Sequence, residues 1–178
     1  MDNRTADLLI RQTGQGDMNA FEQLYSGLSR AVYSFALSIV RDSAAAEDVM
    51  QDTFVRVYNA ASGFTASGAG VAWIMRIARN LAMTLVSARK FEPEDKIDEE
   101  RSYTGTESSV VDRLMLEQAM ETLTDAERQI ITLHASGLKL NEIARITDEP
   151  LGTVKWRHSE ALKKLKRSLS DEKEVSRR

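Results

Sequence analysis

Several kinds of residue that support particular chemistries are missing or scarce in this chain of 178 residues. It has no cysteine, which excludes disulfides, thiolate metal sites and a cysteine nucleophile. Its two histidines, His134 and His158, are too far apart in sequence to indicate a metal centre, and we expect none. Two prolines, nine glycines and 6% aromatic residues exclude a collagen-like or low-complexity chain and disfavour a β-sandwich.

Long hydrophobic runs are also lacking. The most apolar stretch, 31–40, is interrupted by Ser34 and Ser38 and is too short to span a bilayer. The first residues have no apolar core of the signal-peptide type. The absence of cysteine fits a reducing compartment. We therefore expect a cytoplasmic protein without membrane insertion.

The pattern that is present is helical. Apolar residues recur at steps of three and four residues almost throughout, which is typical of amphipathic helices. Residues 91–108 break this pattern, with seven acidic and two basic side chains. The sequence therefore predicts an all-α fold of two small helical domains, 1–90 and 109–178, joined by an acidic flexible linker over 91–108. We expect the two domains to move independently unless a partner holds them.

Capping residues predict where several helices begin. Asp17 is expected to cap a long second helix, and Asp42 or Ser43 the helix after it. Thr124 and Glu127 have the spacing of a capping box. The last helix is predicted over 152–169, with a frayed tail beyond it.

Residues 138–165 have the pattern of a short helix, a tight turn and a longer helix, which is that of a helix-turn-helix. The predicted inner stripe of the longer helix comprises Val154, Ala161, Leu162 and Leu165. His158 is expected there as a packing residue with a satisfied nitrogen. The predicted outer face and helix start, where free amides attract phosphate, comprise Gly152, Thr153, Lys155, Trp156, Ser159, Glu160 and Lys163. This pattern favours DNA contact, and a structural hairpin is the alternative.

Two clusters occur in the first domain. One is an acidic helix face with a single apolar residue, formed by Asp48, Gln51, Asp52 and Val55. Such a face suits docking on a rigid basic partner, although charge alone favours a solvated surface.

The second cluster lies beside the glycine-rich loop 62–70, which contains Ser67. Its helix face carries Arg76, Arg79, Asn80 and Met83 at positions i, i+3, i+4 and i+7. Arginine and asparagine next to a loop pocket suit single-stranded nucleic acid. Trp73 on the same helix is expected to be a core residue rather than a stacking platform.

Four motifs in order resemble extracytoplasmic-function (ECF) sigma factors of the sigma-70 family. They are Gly16-Asp17 followed by Ala20-Phe21 and Leu24-Tyr25, the run 46–54, the run 73–82, and Glu142-Ile143-Ala144 with Gly152-Thr153-Val154-Lys155. The resemblance covers nearly the whole chain. It implies sigma domain two over 1–90 and sigma domain four over 109–178.

The resemblance also implies a function. The protein would bind core RNA polymerase and direct it to promoter DNA, with no cofactor and no enzymatic activity. The face of Asp48, Gln51, Asp52 and Val55 would dock on polymerase. Ser67, Arg76, Arg79, Asn80 and Met83 would open and read the minus-ten element, and the last helix would read the minus-thirty-five element. An anti-sigma factor would inhibit the protein, which would be a monomer or a heterodimer with that inhibitor.

The sequence departs from the family pattern at several positions. Thr84 and Ser87 replace charged residues, Lys139 replaces a serine cap, and Trp156 replaces a small residue. Glu160 stands where some members have a base-reading arginine, and a glutamate can accept a hydrogen bond from cytosine. Two alternatives therefore stay open: a sigma mimic that titrates an anti-sigma factor, and a helix-turn-helix regulator that binds DNA alone.

Overall fold

The structure, a computed structural model, describes residues 1–89 and 116–175, with side chains up to residue 170. Every regular element in these ranges is helical: α1 (Asn3–Gly14), α2 (Met18–Val40), α3 (Ser43–Ala60), a 3-10 turn (Ala61–Gly63), α4 (Gly70–Arg89), α5 (116–121), α6 (Asp125–Ala135), α7 (Leu140–Thr147) and α8 (Leu151–Val175). The predicted all-α fold is confirmed. The predicted linker over 91–108 lies outside the described residues.

The helices begin where their capping residues predict. The Asp17 carboxylate accepts the amides of Asn19 and Ala20 at 2.9 and 3.2 Å. Asp42, rather than Ser43, caps α3. The predicted capping box before α6 is formed in full. Local side-chain chemistry therefore sets these boundaries, because each cap satisfies amides that the first turn leaves unpaired.

Helices α1 to α4 pack together and are called here the N-terminal bundle. Helices α6 to α8 pack together and, with α5, whose end is bonded to Arg128 of α6, are called the C-terminal bundle. Phe35, Leu24 and Ile74 are fully buried in the first. Ile130 and Ile143 are fully buried in the second. Both sets belong to one continuous apolar cluster, so a shared core joins the two bundles.

The expectation that the two halves move independently is wrong for this structure. Helix α6 packs on α2, and α7 packs on α4. The Arg41 guanidinium also lies 2.7 Å from the Asp125 carboxylate, linking the end of α2 to the start of α6. The linker composition could not reveal this, because the contact depends on apolar side chains of the helices themselves.

Two further expectations need correction. The last helix runs from Leu151 to Val175, six residues past its predicted end. Leu162, predicted to face inward, is 48% exposed, whereas Val154 and Ala161 are fully buried. No helix within the described ranges has the length and apolar character needed to cross a membrane.

Candidate nucleic-acid interface

The outer face of α3 presents the predicted acidic cluster to solvent. Asp48, Gln51 and Asp52 are exposed, and Val55 is 57% exposed. The opposite side of α3 is formed by the apolar line Ala46, Met50, Phe54 and Val57, and these residues are buried in the core. The helix therefore presents an acidic surface that includes one exposed apolar side chain, Val55.

A cavity of about 480 Å³ opens between the glycine-rich loop and α4. Phe64, Thr65 and Ser67 of the loop line it, together with Trp73 and Arg76 of α4. Trp73 is half-buried and packs on Phe64, with ring centroids 4.9 Å apart. The volume lies within the range of small-ligand pockets, about 300–1,000 Å³. Trp73 is thus both a packing residue, as expected, and a wall of the cavity.

Helix α1 holds the far end of this loop. The Asp7 carboxylate accepts the Gly68 amide at 2.6 Å, and the Asn3 side-chain oxygen accepts the Val71 amide at 2.9 Å. Neither Asp7 nor Asn3 is among the site residues predicted from the sequence. The sequence contains one indication of such a partner. Ala69 stands in the capping position of α4 and has no side-chain oxygen, so another residue must bond to the first amides of that helix.

The predicted face of α4 is present, and the C-terminal bundle contacts part of it. Arg76 and Asn80 are exposed, and Met83 is 38% exposed. Arg76 pairs with the carboxylate of Asp148, in the turn between α7 and α8, at 2.8 Å. Arg79, half-buried, donates to the Thr147 carbonyl at 3.3 Å.

The C-terminal bundle also reaches the cavity. Arg145 and Ile146 of α7 contribute to its lining. The contacts with Asp148 and Thr147 use donors of both guanidinium groups, those of Arg76 and Arg79. In the arrangement described here, this face of α4 is therefore partly occupied.

The N-terminal half of α8 carries the remaining predicted residues. Gly152, Lys155, Ser159 and Lys163 are exposed, and Trp156 is 63% exposed. Thr153 and Glu160 are half-buried, and Glu160 pairs with Lys163 at 2.7 Å. This end of α8 thus presents a mixed polar and basic surface at a helix N-terminus, where amide groups favour an anion.

A buried carboxylate fixes α8 against α6. Glu127 has a side chain only 6% exposed and accepts the Lys164 ammonium at 2.7 and 2.9 Å. Burial by itself would raise the pKa of Glu127, but hydrogen bonds from Lys164 and Thr124 outweigh it and lower that pKa. The ionised pair therefore orients the face of α8.

The two histidines meet in the fold. The His134 and His158 rings lie edge to face with centroids 4.6 Å apart, and Nδ1 of His134 lies 3.0 Å from the Leu138 carbonyl oxygen. Burial, and then the neighbouring His134, lower the pKa of His158. The expected hydrogen bond is absent at Nε2 of His158, which is buried without a hydrogen-bond partner among the described residues.

Comparison with known proteins shows that the sequence matches two family models. Sigma-70 region 2 matches residues 24–92, and Sigma-70, region 4 matches residues 113–165. The chain belongs to the ECF group of the sigma-70 family. A sigma factor of this kind directs RNA polymerase to promoters.

Relatives and solved structures agree with this assignment. The chain is 27% identical to the ECF RNA polymerase sigma factor SigK of Mycobacterium tuberculosis, covering 92% of each chain. It is 30% identical to BldN of Streptomyces coelicolor, over 92% of this chain and 66% of BldN. CnrH in complex with the cytosolic domain of CnrY shares the fold, with a TM-score of 0.70 and 24% identity over 94% of this chain and 98% of that one. The sigma factor RpoE of Bartonella quintana was solved with the anti-sigma factor NepR. It matches with a TM-score of 0.65 and 25% identity, over 84% of this chain and 96% of that one.

Proposed function

We propose that this sigma factor divides its work among three surfaces. The outer face of α3, with Asp48, Gln51, Asp52 and Val55, docks on core RNA polymerase. The loop with Ser67 and the α4 face with Arg76, Arg79, Asn80 and Met83 open and read the minus-ten element. The N-terminal half of α8 reads the minus-thirty-five element through Gly152, Thr153, Lys155, Trp156, Ser159, Glu160 and Lys163. In this scheme the chain carries no catalysis of its own.

The cavity between the loop and α4 is the observation that supports this division most directly. It combines an aromatic wall, Trp73, with the guanidinium of Arg76 and the hydroxyl of Ser67. Aromatic and arginine side chains suit an unstacked base, and the guanidinium suits the adjoining phosphate. A duplex-binding regulator would have no use for such a cavity.

We infer that the regulating partner is an anti-sigma factor. The Bartonella quintana RpoE, 25% identical to this chain, was solved in complex with the anti-sigma factor NepR. The acidic face of α3 is exposed here and therefore accessible to such an inhibitor as well as to polymerase. Either partner would favour basic groups opposite this face.

Transcription in vitro tests the proposal. The full chain would be added to core polymerase on fragmented genomic DNA, and new 5′ ends would be sequenced. We expect discrete starts that share two spaced elements. Binding to core polymerase without starts would favour the sigma mimic, and DNA binding without polymerase binding would favour the stand-alone regulator.

The docking face needs a matched pair of variants. Gln51→Ala with Asp52→Ala should weaken core binding while the helices stay folded. Glu22→Ala with Gln23→Ala removes the same kinds of exposed side chain from α2 and should leave core affinity unchanged. Equal affinity of both double variants for core polymerase would contradict the docking assignment.

A further inference from the structure

The loop that borders the cavity is held by a helix that contributes nothing to the cavity lining. Helix α1 lies on the other side of the loop, and two of its polar side chains bond to backbone amides there. We propose that Asp7 and Asn3 are positioning residues for promoter opening, because they fix the loop and the start of α4 in the conformation that captures a base. This inference rests on the proposed function of the loop and extends it to residues outside the reading surface.

Asp7 is an unusual residue for a buried position. It is only 7% exposed, and its carboxylate accepts the Gly68 amide at 2.6 Å. Its other carboxylate oxygen is buried without a hydrogen-bond partner among the described residues. Burying a carboxylate is costly unless it is satisfied. An apolar residue would be expected at this position if its only role were packing. The presence of a carboxylate therefore indicates that its role is to bind the Gly68 amide.

The backbone on the loop side is adapted to this contact. Gly68 adopts φ +74°, a conformation that favours glycine. Gly70 approaches α1 so closely that a Cβ there would lie 2.7 Å from both the amide nitrogen and a carboxylate oxygen of Asp7. The loop therefore meets α1 with no side chain between them, and neither partner can shift without affecting the other.

Asn3 provides the cap that α4 lacks. A capping side chain normally bonds to the second or third amide of its own helix, but Ala69 cannot do so. The Asn3 oxygen instead accepts the second amide of α4, that of Val71, at 2.9 Å. Its side-chain nitrogen donates to Glu142 of α7 at 2.5 Å. Asn3 thus connects the beginning of α4 to α1 and, in this arrangement, to the C-terminal bundle.

Promoter opening and amide exchange together test the proposal. Polymerase carrying the full chain would be mixed with a promoter found by start mapping, with 2-aminopurine in the non-template minus-ten strand. Asp7→Ala should slow opening about tenfold or more, since one charge-assisted hydrogen bond is lost. Its affinity for core polymerase should be unchanged, and exchange of the Gly68 amide should accelerate. Gly70→Ala should act in the same way from the other side of the contact.

Two variants separate positioning from general stability. Asp17→Ala removes a carboxylate that also accepts backbone amides, but at the start of α2, and should leave opening and Gly68 exchange unchanged. Asp7→Asn keeps a carbonyl oxygen for Gly68 and should restore most of the opening rate. If Asp7→Ala does not fold, Asn3→Ala replaces it, with Val71 exchange as the readout.

The outcomes are distinguishable. Wild-type rates in Asp7→Ala, or equal slowing in Asp7→Ala and Asp17→Ala, would overturn the positioning role while leaving the proposed function intact. A wild-type protein that binds polymerase but opens no promoter would overturn the proposed function, and this inference with it. Slow opening together with weakened core binding would also count against positioning, because the lesion would then extend beyond the loop.

Discussion

The contact between Asp148 and the α4 arginines gives a quantitative prediction. Asp148 lies 2.8 Å from Arg76 and 4.0 Å from Arg79, and the three side chains are 64%, 54% and 21% exposed. Asp148→Gly would delete the carboxylate. Because Asp148 caps α7 at φ +56°, which glycine adopts without strain, the helix end should remain intact.

The magnitude follows from exposure. Partly exposed ion pairs contribute about 0.2–1 kcal/mol each, so two of them contribute about 0.4–2 kcal/mol. The ratio of separated to packed bundles should therefore rise about twofold to thirtyfold. It should not rise further, because the apolar contact of α7 with α4 remains. The difference between wild type and variant should shrink at high salt, where the screening length falls to about 3 Å.

Energy transfer between two dyes would measure this ratio. The chain has no cysteine, so cysteines introduced at the exposed positions Glu22 and Lys166 would label specifically. Glu160→Gln is the matched control, since it weakens a 2.7 Å pair that lies wholly within α8. Identical transfer in wild type and Asp148→Gly at low salt would refute the reasoning, as would an equal change in the control.

Two further predictions concern the C-terminal bundle. Lys164→Met keeps the aliphatic stem but removes both hydrogen bonds to the buried Glu127. The pKa of Glu127 should therefore rise, and the free energy of unfolding should fall by about 1–3 kcal/mol. An unchanged urea midpoint would contradict this prediction. His158 has a lowered pKa in the folded state, so the unfolded chain binds its proton first as the pH falls below about 6.5. The free energy of unfolding should therefore be unaffected by His158 above that pH and should decline below it, down to the lowered pKa. His158→Phe should flatten this decline. An equal decline in both proteins would exclude His158 as its source.

Sequence patterns predicted the parts of this molecule that depend on local chemistry. The caps at Asp17 and Thr124 and the periodic apolar stripes depend on neighbours within one helix, and the structure confirms them. The exposure of the α3 face followed from the same periodicity. The prediction was wrong at Leu162, which directly follows the buried Ala161 and is 48% exposed.

Contacts between distant parts of the chain could not be predicted in this way. Asn3 and Asp7 bond to residues more than sixty positions away, and Arg76 meets Asp148 across 72 positions. No periodicity relates such pairs. The packing of the two bundles was not predicted either, because the composition of an acidic linker does not indicate whether the helices on its two sides contact each other.

The pairing of Arg76 with Asp148 also bears on how promoter preference could change in a lineage or by design. If Arg76 reads promoter DNA as proposed, a substitution there that alters base preference also removes one half of an ion pair with the turn of the helix-turn-helix. The Arg76 side chain then affects both the base preference and the packing of the two bundles. A designer who seeks a sigma factor with a new minus-ten preference would therefore vary Arg76 and Asp148 as a pair and select on both properties at once.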